Sequence, residues 1–255
     1  MVNPLEESKA YWDNHPIGAE IFDGHPGSLE FYEQYLRYYD EFYDYKEGTF
    51  QYEKYADQDV WEIGCGLGID TIKFARAGAR VTAIDLSETS VNCTRKLFEC
   101  YGLNGDIRLG DAQRSEFSDN SFDVVYACGV LMHVEDETLA INEIYRVLRP
   151  GGQALVVLYH RWSWFWALVK LSGTNVESQE GDPPLNRVYS RREARQMFRQ
   201  FSSLEISCDR LPVKTRRRKG LLASCYNYGF VPLFQLIPAG LARKFGWHLI
   251  VKAVK

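Results

Sequence analysis

Three glycines at alternate positions, Gly64, Gly66 and Gly68, sit in the stretch "VWEIGCGLGID" at residues 60–70. Glycine at this spacing lets a backbone pass close to a ligand, because no Cβ stands in the way and positive φ is accessible. An acid, Glu62, stands two residues before Gly64. A carboxylate there opposes a pyrophosphate but suits a ligand carrying an ammonium group. Asp85 comes 23 residues after Glu62, and its two oxygens can accept both hydroxyls of a ribose. Asp111 and Ala112 follow, where a side-chain acceptor and a backbone N–H can read an adenine edge.

Two common nucleotide devices are excluded. The dinucleotide fingerprint needs glycine at relative positions one, three and six. Gly64 and Gly66 fit, but Ile69 holds the sixth position and Gly68 makes the run G-x-G-x-G. A phosphate-cradling loop needs Gly-Lys-Ser/Thr, which the sequence lacks.

These residues need a frame that holds them at one edge. From residue 57 to about 159 the sequence alternates apolar runs with amphipathic ones. "DVWEIG", "RVTAID", "DIRLGD", "FDVVYACG" and "GQALVVLY" read as strands, the last entered from a Pro-Gly-Gly turn in "VLRPGG". "IDTIKFARAG", "SETSVNCTRKLFECYG" and "DETLAINEIYRVL" read as helices, with Ser87 as an N-cap and Gly78 and Gly102 as C-terminal stops. Strict alternation of this kind implies a parallel sheet with right-handed crossovers. Ligands of such sheets bind at the carboxyl ends of the strands, where the glycine loop and Asp85 both fall. Two late strands, "LEISCDR" (204–210) and "WHLIVKA" (247–253), predict a hairpin at the sheet edge. A helix over 191–201 is expected between cap and hairpin, N-capped by Ser190.

Together, "VWEIGCGLG", "VTAIDLS", "GDAQ", "FDVVYACGVLMHV" and "VLRPGGQALV" resemble the motifs of class I S-adenosylmethionine-dependent methyltransferases. The resemblance is strongest to the small-molecule branch that includes ubiquinone- and menaquinone-pathway enzymes, and it covers residues 57–160. It implies an α/β, Rossmann-like fold: a mostly parallel seven-stranded sheet with helices on both faces, an N-terminal helical lid over 1–56, and a methyltransferase domain over 57–255 with a cap inserted at about 160–189. It implies S-adenosyl-L-methionine as cofactor. Glu62, Gly64, Cys65, Gly66 and Gly68 would surround its methionine part and Asp85 its ribose. Leu86 would pack on the adenine, Asp111 and Ala112 would contact the adenine edge, and Cys128 would lie beside the cofactor.

The acceptor side is less patterned. His133, just after the fourth strand, is the candidate general base, since an unperturbed histidine titrates near neutrality. Tyr11 and His15 are candidate lid residues that contact cofactor or substrate, with His25 a weaker one. His160 is expected at the active edge. "YHRWSWFW" (159–166) either lines an apolar acceptor pocket or packs the cap, and Tyr189 fits either role. No acidic pair or His/Cys cluster has metal-ligand spacing, so no metal is expected. The six scattered cysteines read as reduced thiols.

Length and composition agree with one α/β domain plus additions: 255 residues, 45% hydrophobic, net charge −4. The acidic balance disfavours general nucleic-acid binding, and "YACG" stands where enzymes that methylate flipped DNA bases carry Asn-Pro-Pro-aromatic. No apolar run reaches the ~20 residues of a membrane span, and the polar N-terminus does not read as a signal peptide, so a cytoplasmic location is expected. The apolar stretches 162–171 and 228–242 are expected to be core or cap. The basic run "KTRRRK" (214–219) reads as a solvated loop, with membrane-surface contact not favoured. The expected activity is methyl transfer to a small aromatic or lipophilic acceptor. The alternatives are a methyltransferase of RNA or protein, and a cofactor-binding protein without catalysis.

Overall fold

The computed structural model describes residues 4–16, 22, 27–178, 181–215 and 220–255. His25 and Arg216 to Arg218 lie outside the described residues.

A seven-stranded sheet organises the chain: β1 (Asp59–Ile63), β2 (Arg80–Asp85), β3 (Asp106–Leu109), β4 (Phe122–Cys128), β5 (Leu148–Tyr159), β6 (Ser203–Asp209) and β7 (His248–Val254). Its spatial order is β3-β2-β1-β4-β5-β7-β6. The first five strands are parallel, and β7 runs antiparallel between β5 and β6. The predicted hairpin is therefore present, with β7 inserted one place inside the edge. Strand order reverses at β1, whose neighbours are β2 and β4, so the switch point lies at Ile63-Gly64.

Alternation along the strands splits the core in two. Val60, Val124, Tyr126 and Val157 face one cluster, while Trp61, Ile63, Val125 and Val156 face the other. The first cluster is covered by α4 (Ile69–Arg76), α5 (Glu88–Tyr101) and the aromatic face of α2 (Leu29–Phe42). The second is covered by α6 (Glu137–Val147), α8 (Arg191–Met197) and the cap. Ser87 caps α5, Gly102 ends it in the left-handed region, and Ser190 with Glu193 makes a capping box on α8. β5 starts earlier than the Pro-Gly-Gly turn suggested. Leu148 already pairs with Phe122, and a register shift between Phe122 and Val124 absorbs the turn residues.

The N-terminal segment adds α1 (Pro4–Asn14) and α3 (Tyr45–Phe50). Behind the glycine loop, α2 and α3 build a buried polar knot. Lys46 Nζ meets Asp70 Oδ2 at 2.6 Å, and the hydroxyls of Tyr39, Tyr52 and Tyr126 all donate to the same carboxylate at 2.7–2.9 Å. Lys46 and Asp70 are both buried. The ammonium beside it outweighs burial and holds the Asp70 carboxyl below its ordinary range.

The cap is more ordered than its composition suggested. Ser163 caps a helix, α7 (Trp164–Ser172). Trp164 packs on Tyr226, Phe230 and Phe234, and Phe165 on Trp247. "YHRWSWFW" is thus mainly cap packing. His160 follows the carboxyl end of β5 but is buried with its Nδ1 3.0 Å from the Gly246 carbonyl, and Tyr189 pairs its backbone with Tyr159 and stays buried. The stretch 228–242, expected to be core or cap, belongs to a run of short helices with a largely exposed side over 221–242: α9 (Leu221–Cys225), a π-helical turn (Tyr226–Phe230), α10 (Val231–Gln235) and α11 (Ala239–Ala242).

Candidate active site

One cavity opens at the carboxyl ends of β1, β2, β3 and β4. Gly64, Gly66, Asp85, Leu86, Asp111, Ala112, Cys128 and His133 all line it. Residues up to 69 positions apart in sequence therefore meet at the edge where the parallel sheet places its ligand site.

The loop geometry follows from its glycines. Gly64, Gly66 and Gly68 have φ of 72°, 53° and 81°, in the left-handed region. A Cβ on Gly64 would stand 2.3 Å from Val130 Cγ2, and one on Gly68 would stand 2.9 Å from Thr94. These two positions are closed by protein. A Cβ on Gly66 would meet nothing within 4 Å. Its open face belongs to the cavity it lines.

Asp85 ties the loop to the second strand. Its Oδ2 accepts the Gly66 N–H at 2.8 Å and its Oδ1 accepts the Ser87 N–H at 2.9 Å. Each oxygen keeps a further lone pair for a ligand hydroxyl. Burial raises the carboxyl to about 6, against the pull of those N–H groups. Asp111 Oδ1 accepts the Gln113 N–H at 2.9 Å, which orients the turn after β3.

Glu62 does not itself line the cavity. It is buried in β1, its Oε2 has no hydrogen-bond partner, and burial pushes its carboxyl well above the usual range. An unsatisfied buried carboxylate oxygen is costly unless a donor completes it. Cys65 is buried with its sulfur 3.4 Å from Thr94 Oγ1, and Gly68 precedes α4. Cys128 lines the cavity, and burial raises its thiol.

The roof comes from α1, with Pro4, Leu5, Ser8 and Trp12 lining the cavity. Its end is tied to the start of α5: Ser87 Oγ donates to Asp13 Oδ1 at 2.8 Å and Thr89 Oγ1 to the Asp13 carbonyl at 3.1 Å. Tyr11 and His15 do not line the cavity. They stack on each other at 4.6 Å, and the Tyr11 hydroxyl donates to the Gly181 carbonyl at 2.9 Å, joining α1 to the cap. Trp12, one residue away, is the aromatic that reaches inward, 5.1 Å from the His133 ring.

His133 is buried between α1 and the cap. Its Nδ1 lies 2.7 Å from the Leu185 carbonyl, which can only accept, so Nδ1 carries the proton. Burial lowers its pKa to about 4, so the ring is neutral at pH 7. Nε2 then presents a lone pair with no hydrogen bond, 3.6 Å from Glu177 Oε1. Arg187 secures this part of the cap by donating to the Val134 and Glu135 carbonyls. Sequence reasoning missed Trp12, Leu185 and Glu177, because no local pattern marks a residue that reaches the site from a distant part of the chain.

The segment that carries the glycine loop, Asp85 and Asp111 matches a known family. Residues 61–156 match the family described as a methyltransferase domain. Over these residues the chain is similar to that family. The chain is also similar to the demethylmenaquinone methyltransferase of Streptomyces avermitilis, 31% identical over 107 residues, which is 42% of this chain and 45% of that protein. It is also similar to a sterol 24-C-methyltransferase of Neurospora crassa, 33% identical over 99 residues, covering 38% of this chain and 26% of that one. The matches thus span less than half the length of these relatives. Among solved structures, the PH0226 protein from Pyrococcus horikoshii superimposes with a TM-score of 0.60 at 16% identity, covering 96% of this chain and 98% of that one. A SAM-dependent methyltransferase from Aquifex aeolicus gives 0.55 at 15% identity over 85% and 92%. At these identities the structures establish a shared fold. Among the described residues, no group of His, Cys, Asp or Glu is arranged to hold a metal, and no helix is long and apolar enough to cross a membrane.

Proposed function

We propose that the chain transfers the methyl group of S-adenosyl-L-methionine to a small-molecule acceptor. The observation that carries this reading is the single cavity on which Gly64, Gly66, Asp85, Leu86, Asp111, Ala112 and Cys128 converge. The residues fit the cofactor on two counts. Gly66 leaves open space where a side chain would stand, and Glu62 Oε2 is a buried acceptor awaiting a donor such as an ammonium group. Glu62, with Gly64, Cys65, Gly66 and Gly68 shaping the loop, holds the methionine part. Asp85 accepts the ribose hydroxyls, Leu86 covers the adenine, and Asp111 and Ala112 read its edge.

When bound, S-adenosylmethionine supplies an electrophilic methyl on a sulfonium, transferred by in-line displacement. The protein's part is alignment and removal of water. The roof of α1, with Trp12, excludes solvent from the cavity. Tyr11 and His15 act at one remove, fastening that lid to the cap. His133 is the general base. Its neutral Nε2 takes the proton of a hydroxyl acceptor as the methyl arrives, or that of a protonated amine before the freed lone pair attacks, and Glu177, 3.6 Å away, stabilises the imidazolium that forms.

The acceptor chemistry is tested with the full chain, labelled cofactor and a panel of phenols, quinols and amines. Turnover of at least one class is expected. Saturable cofactor binding with no transfer to any member would favour a non-catalytic binding protein.

A further inference from the structure

Between Gly220 and Ala242 the sequence contains no charged residue. α9, the π turn and α10 nevertheless run as one continuous rod over 221–235 at the protein surface. One side of the rod faces the protein. Ala223 and Val231 are buried, and Tyr226, Phe230 and Phe234 pack on Trp164 of α7. The other side carries Leu221, Leu222, Tyr228, Leu233 and Leu236, each exposing two-thirds or more of its surface, and Leu171 of α7 does the same. A surface helix ordinarily turns charged residues outward. Here both sides are apolar. A contiguous exposed apolar face marks a docking surface.

The charge around this face selects its occupant. Residues 210–255 contain ten Lys and Arg and no Asp or Glu, so all 34 acids of this net-negative chain lie before them. Lys214, Arg243 and Lys244 flank the rod and are exposed. A second copy docked by two-fold symmetry would set cations against cations, which is repulsive. An anionic lipid surface satisfies both features, with apolar side chains entering the headgroup–acyl boundary and cations meeting lipid phosphates. We propose that the 221–236 face lies on an anionic membrane surface and holds the enzyme there without crossing it.

The test is co-sedimentation of the full chain with phosphatidylcholine vesicles, with and without phosphatidylglycerol. The chain is expected to pellet with the anionic vesicles, and less so as salt rises. L233D/L236D should lower partitioning about tenfold or more, with an unchanged urea midpoint, because both side chains are already exposed. K214E/K244E should weaken binding to anionic vesicles with the leucines intact. Absence of wild-type binding to either vesicle overturns the proposal, as does binding that L233D/L236D leaves unchanged. A dimer that dissociates in L233D/L236D, without vesicle binding, assigns the face to a second copy and also overturns it. So does RNA binding that K214E/K244E abolishes while vesicles are ignored.

Discussion

Gly64 and Gly66 share a loop and a backbone conformation, yet the structure assigns them different work, and alanine separates the two. For Gly64→Ala, a left-handed residue with a Cβ costs about 1–2 kcal/mol. The new methyl would also stand 2.3 Å from Val130 Cγ2, an overpacking worth about 1–3 kcal/mol. The variant should therefore lose about 2–5 kcal/mol of a total that is typically ~5–15. For Gly66→Ala only the conformational part applies, because nothing lies within 4 Å of the new Cβ, and the expected loss is about 1–2 kcal/mol. Its methyl instead occupies cavity space that the cofactor needs. Cofactor affinity should then fall about tenfold or more while the protein stays folded, since an ill-fitting methylene costs ~1–3 kcal/mol. Urea denaturation and calorimetric titration with S-adenosylhomocysteine read the two quantities independently. Val130→Ala should recover the steric part of the Gly64→Ala loss and leave the φ part, giving a coupling of about 1–3 kcal/mol in a double-mutant cycle. Unchanged cofactor affinity in Gly66→Ala, or unchanged stability in Gly64→Ala, would refute this division of roles.

Three further expectations follow from buried titratable groups. Asp85 is raised to about 6 in the free protein, so its stabilising contribution is present at pH below the ordinary aspartate range and is lost as pH rises to about 6. Cofactor affinity should move oppositely, weakening up to about tenfold per pH unit below 6, and Asp85→Asn should flatten both profiles relative to wild type. His133→Ala should lower kcat about 10²–10⁴-fold with a hydroxyl acceptor and leave the cofactor dissociation constant unchanged; a proportionate loss of cofactor binding would instead make His133 part of the cavity wall alone. Lys46→Met strands the Asp70 carboxylate in the core and should cost about 3–5 kcal/mol, measured by urea denaturation, and adding Asp70→Asn should return part of that loss.

Much of this architecture was legible because it is encoded locally. The apolar runs in "DVWEIG" and "FDVVYACG", the Ser87 and Ser190 caps, and Gly102 marked the elements within a residue or two. Parallel topology then carried Gly64, Asp85 and Asp111 to one edge without any contact having to be guessed. The acceptor side was not legible for the converse reason. His133 takes its tautomer from Leu185, 52 residues on, and its acidic neighbour Glu177 comes from a cap loop with no periodic pattern. Tyr11 and His15 were chosen by residue type, but helix phase points Trp12 inward instead. In α2, Phe31, Tyr35 and Tyr38 recur at helical spacing and are buried, but no such pattern marks Tyr39 as a hydrogen-bond partner of Asp70. Apolar composition at 228–242 suggested burial, and only the observed packing separates the Trp164-facing side from the exposed one.

The central claim is that the cavity at the switch point binds S-adenosylmethionine, and calorimetric titration of the full chain with that cofactor tests it most directly. Saturable binding at one site per chain is expected, with a matching rise in melting temperature, since a ligand that binds only the folded state stabilises it by about 2.7 kcal/mol at a hundredfold excess over Kd. No binding heat and no thermal shift at saturating cofactor, from a chain that unfolds cooperatively, would contradict it.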